Sequence, residues 1–212
     1  MKKILVYGDS NTWGDNFITG MRIPDNKQWV NILKDKYQNK FIFLQEGLPG
    51  RIAGNEECEK EYKNGKDSFI STFRVNAPVD IVIISLGTND LQKKYNKSAE
   101  QIINDLNWYR EQLTLSFNDL DDRKKYFKNN KLPDIIYILP INFDYKDQAS
   151  VIFDQISENK RQDIIKYFTK PKDYFKVIYS NDLPLFEDGI HLNYCGHEKM
   201  SKLVESVLKE YE

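Results

Sequence analysis

The chain has 212 residues, of which 40% are hydrophobic and 30% charged, with a formal net charge of -1 at pH 7. A chain of this size and composition can bury a full hydrophobic core, and we expect a single domain over residues 1–212. The nearly balanced charge provides no general attraction to nucleic acid or to an anionic membrane surface. No apolar run is as long as a membrane span, and the run after the basic N-terminus is too short for a signal peptide.

The two cysteines, Cys58 and Cys195, lie far apart and lack the spacing of a metal site. Free thiols in a reducing compartment are the simplest interpretation. We therefore expect a cytoplasmic protein that uses neither a metal ion nor another cofactor. The sequence leaves the oligomeric state open, a homo-oligomer included.

Short apolar runs along the chain have the length and composition of buried strands. The run over 79–86 is apolar on both faces, as is typical of a central strand in a parallel sheet. In chain order the predicted strands cover residues 4–7, 41–44, 79–86, 133–139 and 175–179.

Helical periodicity appears between these runs and predicts the other half of the fold. The predicted helices lie over 28–37, around 68–76, after Ser98, over much of 148–168 and over 194–211. Residues 15–26 are predicted to form a loop, and the charged residues 55–67 a solvated excursion. Strands that alternate with helices predict an α/β fold, with a parallel sheet covered by helices on both faces.

Small or polar residues follow three of the predicted strands, namely Ser10, Gly50 and Asn89. The carboxyl ends of parallel strands lie at one edge of the sheet, which is where ligands bind in such folds. A later loop supplies Asp188 and His191, and the glycine between them makes a turn easy. We expect these five residues to meet at one site.

The five residues are those that acyl transfer through a serine requires. His191 can take the proton of the Ser10 hydroxyl, and Asp188 can orient the imidazole and stabilise its charged form. The backbone amides of Ser10 and Gly50 and the side-chain amide of Asn89 can donate to the oxyanion that forms.

These residues, and Asp9 beside Ser10, also have purely structural interpretations, in which Asp188 is a turn residue and His191 a surface histidine. Asp9 can fix a strand-to-helix turn through its backbone bonds, Asn89 can cap a helix, and Gly50 can serve only a turn. Their joint placement at strand ends favours a catalytic site. Of the two histidines, His197 falls inside the predicted last helix, where packing or capping is expected, so His191 is the preferred base.

The same segments resemble the sequence blocks of the GDSL, or SGNH, hydrolases. GDSNTWG at 8–14 resembles the first block, GLPGR at 47–51 the second, GTND at 87–90 the third and DGIHL at 188–192 the fifth. The blocks occur in the family's order over nearly the whole chain. The resemblance implies a three-layer α/β/α, flavodoxin-like fold with about five parallel strands, and serine esterase or acyltransferase chemistry without a metal.

The sequence departs from the family at Asn11, where leucine is common, and at Gln45, where many members have asparagine. Its first two blocks are most similar to the arylesterase and acyltransferase branch. By that likeness Trp13 would line the acyl pocket, although an ordinary core aromatic is the alternative. Arg51 would contact either the substrate or a neighbouring carboxylate.

We therefore predict a serine esterase that hydrolyses or transfers short acyl groups such as acetyl from small-molecule or carbohydrate esters. A lysophospholipase or thioesterase of the same family is an alternative. A non-catalytic, anion-binding flavodoxin-like module is another, but the sequence lacks a phosphate-binding glycine loop. An α/β-hydrolase would need a Gly-x-Ser-x-Gly elbow, which is missing around Ser10.

Overall fold

The computed structural model describes residues 1–57, 59–170 and 172–212. Within these ranges the strands are β1 (Lys2–Gly8), β2 (Asp15–Asn16), β3 (Met21–Arg22), β4 (Phe41–Gly47), β5 (Ile81–Ser85), β6 (Asp134–Ile138) and β7 (Lys176–Ile178). The α-helices are α1 (Ser10–Trp13), α2 (Trp29–Lys36), α3 (Gly65–Asn76), α4 (Ala99–Leu115), α5 (Leu120–Tyr126), α6 (Gln155–Phe168) and α7 (Tyr194–Leu208).

The main sheet has the strand order β4-β1-β5-β6-β7, and all of its strands are parallel. The first strand of the chain therefore lies between two strands that come later. The register pairs Gly8 of β1 with Gly47 of β4 on one side and with Ser85 of β5 on the other. The carboxyl ends of these three strands consequently lie level at one edge of the sheet.

Successive residues of β1 supply the two faces of the sheet in turn, because side chains alternate along a strand. Leu5 and Tyr7 belong to the core that includes residues of α3, α4 and α6. Ile4 and Val6 belong to the second core, with residues of α2 and α7. Burial on both faces explains the continuous apolar run. The prediction of a three-layer α/β fold is confirmed.

The structure corrects several predicted boundaries. The helix expected over much of 148–168 consists of a 3₁₀ turn at Gln148–Val151 and the separate helix α6. The break occurs because Asp154 caps α6 and accepts a hydrogen bond from the N–H of Ser157 at 2.8 Å. The predicted loop 15–26 contains the short β2–β3 hairpin, and α5 was not predicted because its polar sequence has no apolar stripe.

The structure bears on two expectations from composition, those about the cysteines and about membrane spans. Cys195 is an exposed free thiol, whereas Cys58 lies outside the described residues. Among the helices of the described ranges, none combines the length and the apolar character that crossing a membrane requires.

A buried ion network connects the loops that follow β4 and β5. The side chain of Lys97 is only 7% exposed, and its Nζ lies 3.2 Å from Asp90 Oδ1 and 2.9 Å from Asp105 Oδ2. Asp90 Oδ2 in turn accepts a hydrogen bond from the N–H of Ala53 at 2.7 Å. The network thus fixes the loop after β4 against the turn that carries Asn89.

Replacement of Lys97 should destabilise the fold far more than replacement of an exposed lysine. Lys97→Met leaves the buried Asp90 carboxylate without its counter-ion, and loss of one partner of a buried pair costs about 3–5 kcal/mol. Lys36→Met is the control, because Lys36 is 53% exposed and pairs with Glu205 at the surface. That variant should lose at most about 1 kcal/mol. Urea unfolding measures both free energies, and equal small losses would contradict the assignment.

Candidate active site

Ser10 begins α1 directly after β1, and a tight turn places it there. The Asp9 carboxylate caps the helix and accepts a hydrogen bond from the N–H of Asn11 at 2.9 Å. A Cβ on Gly8 would lie 2.1 Å from Thr12 Oγ1, so the turn closes only over glycine. The structural role considered for Asp9 is therefore present, and it holds Ser10 at the carboxyl edge of the sheet.

Asp188 and His191 lie in the loop between β7 and α7. Asp188 Oδ1 accepts hydrogen bonds from the N–H groups of Ile190 and His191, both at 3.1 Å, and its Oδ2 lies 2.5 Å from His191 Nδ1. Gly189 has a φ of +67°, a left-handed conformation that favours glycine and turns the chain between the two residues. One carboxylate therefore fixes both the backbone and the ring of His191.

The second ring nitrogen of His191 faces the serine. His191 Nε2 lies 3.1 Å from Ser10 Oγ, although the two residues are 181 positions apart in the sequence. A neutral imidazole that donates from Nδ1 to Asp188 has Nε2 free to accept the serine proton. The structure thus brings Ser10, His191 and Asp188 into one hydrogen-bonded chain, with the geometry that activates a serine hydroxyl.

The pKa values of this pair follow from their mutual contact. Burial alone would lower the pKa of His191, but the hydrogen bond to Asp188 and the charges of Asp188, Asp15 and Asp9 raise it above its ordinary value of 6.5. Burial alone would raise the pKa of Asp188, but the hydrogen bonds from His191 and from the N–H of Ile190 lower it. Asp188 is therefore ionised wherever His191 can act as a base.

Asp9 behaves differently from Asp188 although both are buried. Burial raises the pKa of Asp9 to about 6, against the opposing effects of the Asn11 hydrogen bond and of the nearby His191 and Arg51 charges. The ring of His191 donates its hydrogen bond to Asp188 instead. Burial thus destabilises the charge of Asp9, whereas direct hydrogen bonds stabilise the charge of Asp188.

Three hydrogen-bond donors lie at the adjacent strand ends beside Ser10. In the described part of the chain no acceptor binds the backbone N–H of Ser10 or Gly50, and Gly50 has a φ of +76°. Asn89 Nδ2 donates to the Arg51 carbonyl at 3.0 Å, while its Oδ1 accepts from Gln92 Nε2 at 2.9 Å. An amide nitrogen carries two N–H groups, so the second remains for a substrate oxygen.

Arg51 has contacts other than those that the sequence suggested. Its side chain is buried, and Nη1 donates to the carbonyls of Gly8 at 2.9 Å and Glu46 at 2.5 Å. The guanidinium also lies 4.0 Å above the ring of Tyr7. In place of the expected carboxylate, the guanidinium binds backbone carbonyls and thereby joins the loop after β4 to β1. A contact with substrate stays a prediction.

Trp13 ends the short helix α1 that Ser10 begins, and it is partly exposed and not a fully buried core residue. The guanidinium of Arg22 lies 5.3 Å from its ring, and Arg22 Nε donates to the Trp13 carbonyl at 2.9 Å. The β2–β3 hairpin thereby supports one side of the indole, and the ring remains a candidate wall of the acyl pocket.

Asn11 has a positioning role that sequence reasoning missed. Its Oδ1 accepts a hydrogen bond from the N–H of Leu192 at 2.8 Å, and its Nδ2 donates to the Ile190 carbonyl at 3.4 Å. These bonds join the turn of the nucleophile to the loop of the base on both sides of His191. The sequence contained one signal for this role, because Asn11 is a polar amide at a position where the family commonly has leucine.

Asp15 is a second residue that the sequence did not single out. It lies in β2, and its Oδ2 is 4.0 Å from His191 Nε2.

His197, the second histidine of the chain, is fully buried in α7, and its Nδ1 accepts a hydrogen bond from the N–H of Trp29 at 3.3 Å. Burial lowers the pKa of His197 to about 3, so this ring is a neutral packing residue as expected.

Comparison with known proteins gives one sequence match and many structural ones. The sequence matches the family described as GDSL-like Lipase/Acylhydrolase over residues 4–204. None of the curated proteins matches the chain.

Solved structures with the same fold include three named enzymes. The inhibitor-bound aryl esterase of M. smegmatis is 21% identical with a TM-score of 0.77, over 98% of this chain and 100% of that one. Est24, a carbohydrate acetylesterase from Sinorhizobium meliloti, is 20% identical with a TM-score of 0.76, also over 98% and 100%. The lipase/acylhydrolase from Enterococcus faecalis is 18% identical with a TM-score of 0.67, over 100% and 97%.

These likenesses confirm the fold, and the sequence match confirms the resemblance on which the site was predicted. The match extends over both ends of the hydrogen-bonded chain from Ser10 to Asp188. The chain belongs to the GDSL-like lipase/acylhydrolase family.

Proposed function

We propose that the protein hydrolyses carboxylic esters of short acyl groups, acetyl foremost, through an acyl intermediate on Ser10. The observation that carries the proposal is the chain from Ser10 Oγ to His191 Nε2 at 3.1 Å and from His191 Nδ1 to Asp188 Oδ2 at 2.5 Å. The partner is a small-molecule ester, and transfer of the acyl group to another alcohol would use the same intermediate. The cytoplasmic location stays a prediction from the sequence.

In the first half of the reaction, Ser10 Oγ attacks the acyl carbon while its proton moves to His191 Nε2. The negative charge that develops on the carbonyl oxygen accepts hydrogen bonds from the amides of Ser10, Gly50 and Asn89. The bond to the alcohol oxygen then breaks, and that oxygen takes the proton from Nε2. Asp188 stays ionised and stabilises the imidazolium during these steps.

In the second half, water replaces the alcohol. His191 Nε2 takes a proton from the water as its oxygen attacks the acyl carbon, and the same donors hold the oxyanion. The bond to Ser10 Oγ breaks, Oγ recovers the proton, and the carboxylic acid leaves. The same groups thus perform both acylation and deacylation.

The preference for short acyl groups rests on the surroundings of Ser10. Residues 55–61, which follow the Gly50 loop, have the sequence NEECEKE and are too charged to bind a lipid surface. Trp13 is partly exposed next to the nucleophile and would end an acyl pocket after a few carbons. The names of two structural neighbours, an aryl esterase and a carbohydrate acetylesterase, make aryl and sugar acetates the first substrates to test.

The dependence of kcat/KM on acyl length tests this function. With aryl esters of increasing acyl length, we expect the maximum at acetyl or the next few homologues and no jump in activity at a lipid interface. Each methylene that fits a pocket adds about 0.8 kcal/mol of binding, so a long-chain enzyme would show a rise instead. A maximum at medium or long chains would contradict the short-acyl preference and favour the lysophospholipase or thioesterase alternative.

Ser10 should be the residue that carries the acyl group. A fluorophosphonate probe should label Ser10 in the wild-type protein, because only an activated hydroxyl reacts readily. Ser10→Ala should lose both labelling and ester turnover, and peptide mapping identifies the labelled residue. Ser201 in α7 is the control and should stay unlabelled, because its Oγ donates a hydrogen bond to the Glu198 carbonyl. Labelling at another serine with Ser10 unmodified would refute the mechanism.

Activity should rise with pH through the ionisation of His191. The protonated imidazole cannot accept the serine proton, and its pKa is raised above 6.5, so kcat/KM should increase through a midpoint above that value. His191→Ala should lower kcat by several orders of magnitude, because the members of such a chain act as a unit. His197→Ala should retain the profile and lose stability. The opposite pair of results would identify His197 as the base.

Asn89 should contribute to the transition state rather than to substrate binding. Asn89→Ala should lower kcat by roughly 10²–10³ with little change in KM, as for other lost oxyanion donors. Gln92→Ala is the matched control, because it removes only the hydrogen bond to Asn89 Oδ1. Steady-state kinetics separates the two effects, and a loss confined to KM would show that Asn89 binds the ground state.

A further inference from the structure

Asp15 places a carboxylate beside the catalytic base. The β2–β3 hairpin fixes its backbone opposite Arg22, and its Oδ2 lies 4.0 Å from His191 Nε2. The side chain is 23% exposed, and no donor of the described residues makes a hydrogen bond to it. Its acceptor capacity is therefore available to a molecule that enters the site.

The position of Asp15 next to His191 Nε2 determines which half of the ester it can contact. His191 Nε2 delivers a proton to the alcohol oxygen, so that oxygen has to come within about 2.6–3.2 Å of Nε2. Substituents next to the alcohol oxygen then lie within a few ångströms of Asp15. In the proposed mechanism the carbonyl oxygen instead accepts from the amides of Ser10, Gly50 and Asn89.

The other charged groups near the base are buried or bound to other groups of the protein. Arg22, opposite Asp15 in the hairpin, donates to the Trp13 carbonyl and to Gln28 Oε1. The Asp188 carboxylate is taken by His191, Asp9 is buried under the turn, and Arg51 is bound to backbone carbonyls. On the α7 side, His197 is neutral, since its pKa is about 3.

A lysine lies beside the loop that carries the Gly50 amide. Lys63 Nζ is 3.0 Å from the position that a Cβ on Gly50 would take, and it lies 3.8 Å from Glu59. The charges that act on His191 are therefore acidic, those of Asp188, Asp15 and Asp9, whereas a lysine lies beside Gly50.

We propose that Asp15 is a specificity-determining residue that contacts the alcohol half of the ester. Its charge favours alcohols that carry a hydroxyl donor or a cationic group close to the ester oxygen, and disfavours anionic alcohols. The inference rests on the proposed hydrolysis at Ser10 and names the class of alcohol that this site accepts. Coulombic attraction and repulsion over a few ångströms in a partly desolvated cleft supply the discrimination.

The test compares acetate esters that share the acyl group and differ in the charge and hydrogen-bonding capacity of the alcohol. Acetylcholine is cationic, ethylene glycol monoacetate carries a hydroxyl, propyl acetate is neutral without a donor, and acetoxyacetate is anionic. The wild-type protein should have the highest kcat/KM for the first two and the lowest for acetoxyacetate. Asp15→Asn should reduce the ratio of acetylcholine to acetoxyacetate by about tenfold.

A matched control separates a local from a general charge effect. Asp35→Asn removes one negative charge from the exposed face of α2 and should leave the ratio unchanged. Fluorophosphonate labelling of Ser10 in Asp15→Asn shows whether that variant retains the site. The acidic limb of the pH profile, where activity rises with pH, gives a second readout. Loss of the Asp15 charge should move the kcat/KM midpoint to lower pH, while the charges of Asp188 and Asp9 still act on His191.

The outcomes are distinguishable. An equal change in kcat/KM for all four esters, with the ratio unchanged, would overturn the proposal and leave Asp15 as a group that acts only through His191. An unchanged ratio and an unchanged pH midpoint would overturn it as well. Absence of turnover with every ester, in the wild-type protein too, would overturn the proposed function itself and the inference with it.

Discussion

The pairing of β1 with a parallel neighbour on each side determines the geometry of the site. Because Gly8 is in register with the ends of both β4 and β5, the loops that follow the three strands emerge together. The carbonyl of Gly8 then accepts hydrogen bonds from the N–H of Leu48 at 3.0 Å and from Arg51 Nη1 at 2.9 Å. The last carbonyl of β1 thereby holds the loop that presents the Gly50 amide.

Buried carboxylates organise the loops around this edge, and each is stabilised differently. Backbone N–H groups bind Asp9, Asp90 and Asp188, which satisfies oxygens that would otherwise lose water without replacement. Burial raises the pKa of Asp9 and of Asp90, the latter despite its contact with Lys97. The pKa of Asp188 is lowered because an imidazole donates to it directly. Negative charge is therefore most stable at the one carboxylate that orients the base.

The sequence was sufficient for the strands and for most of the site because their signals are local. Apolar runs buried on both faces, and glycines that no larger residue can replace, identify the strand ends that carry Ser10, Gly50 and Asn89. Contacts across the fold leave no such signal. The bonds of Asn11 to the chain on both sides of His191 join positions about 180 apart, and the approach of Asp15 to the same ring depends on a hairpin of two-residue strands. Likewise, spacing alone could not reveal that Arg51 is bound to backbone carbonyls.

The separation of 181 residues between the nucleophile and its base has a consequence for the folding chain. Both neighbours of β1 come later in the chain, and the loop with His191 is held beside Ser10 by tertiary contacts such as the bond from the Leu192 N–H to Asn11. Until those contacts form, the Ser10 hydroxyl has no neighbouring base and reacts no faster than that of an ordinary serine. Partly folded chains are therefore protected from stray acylation, and nucleophilic reactivity develops together with native tertiary structure.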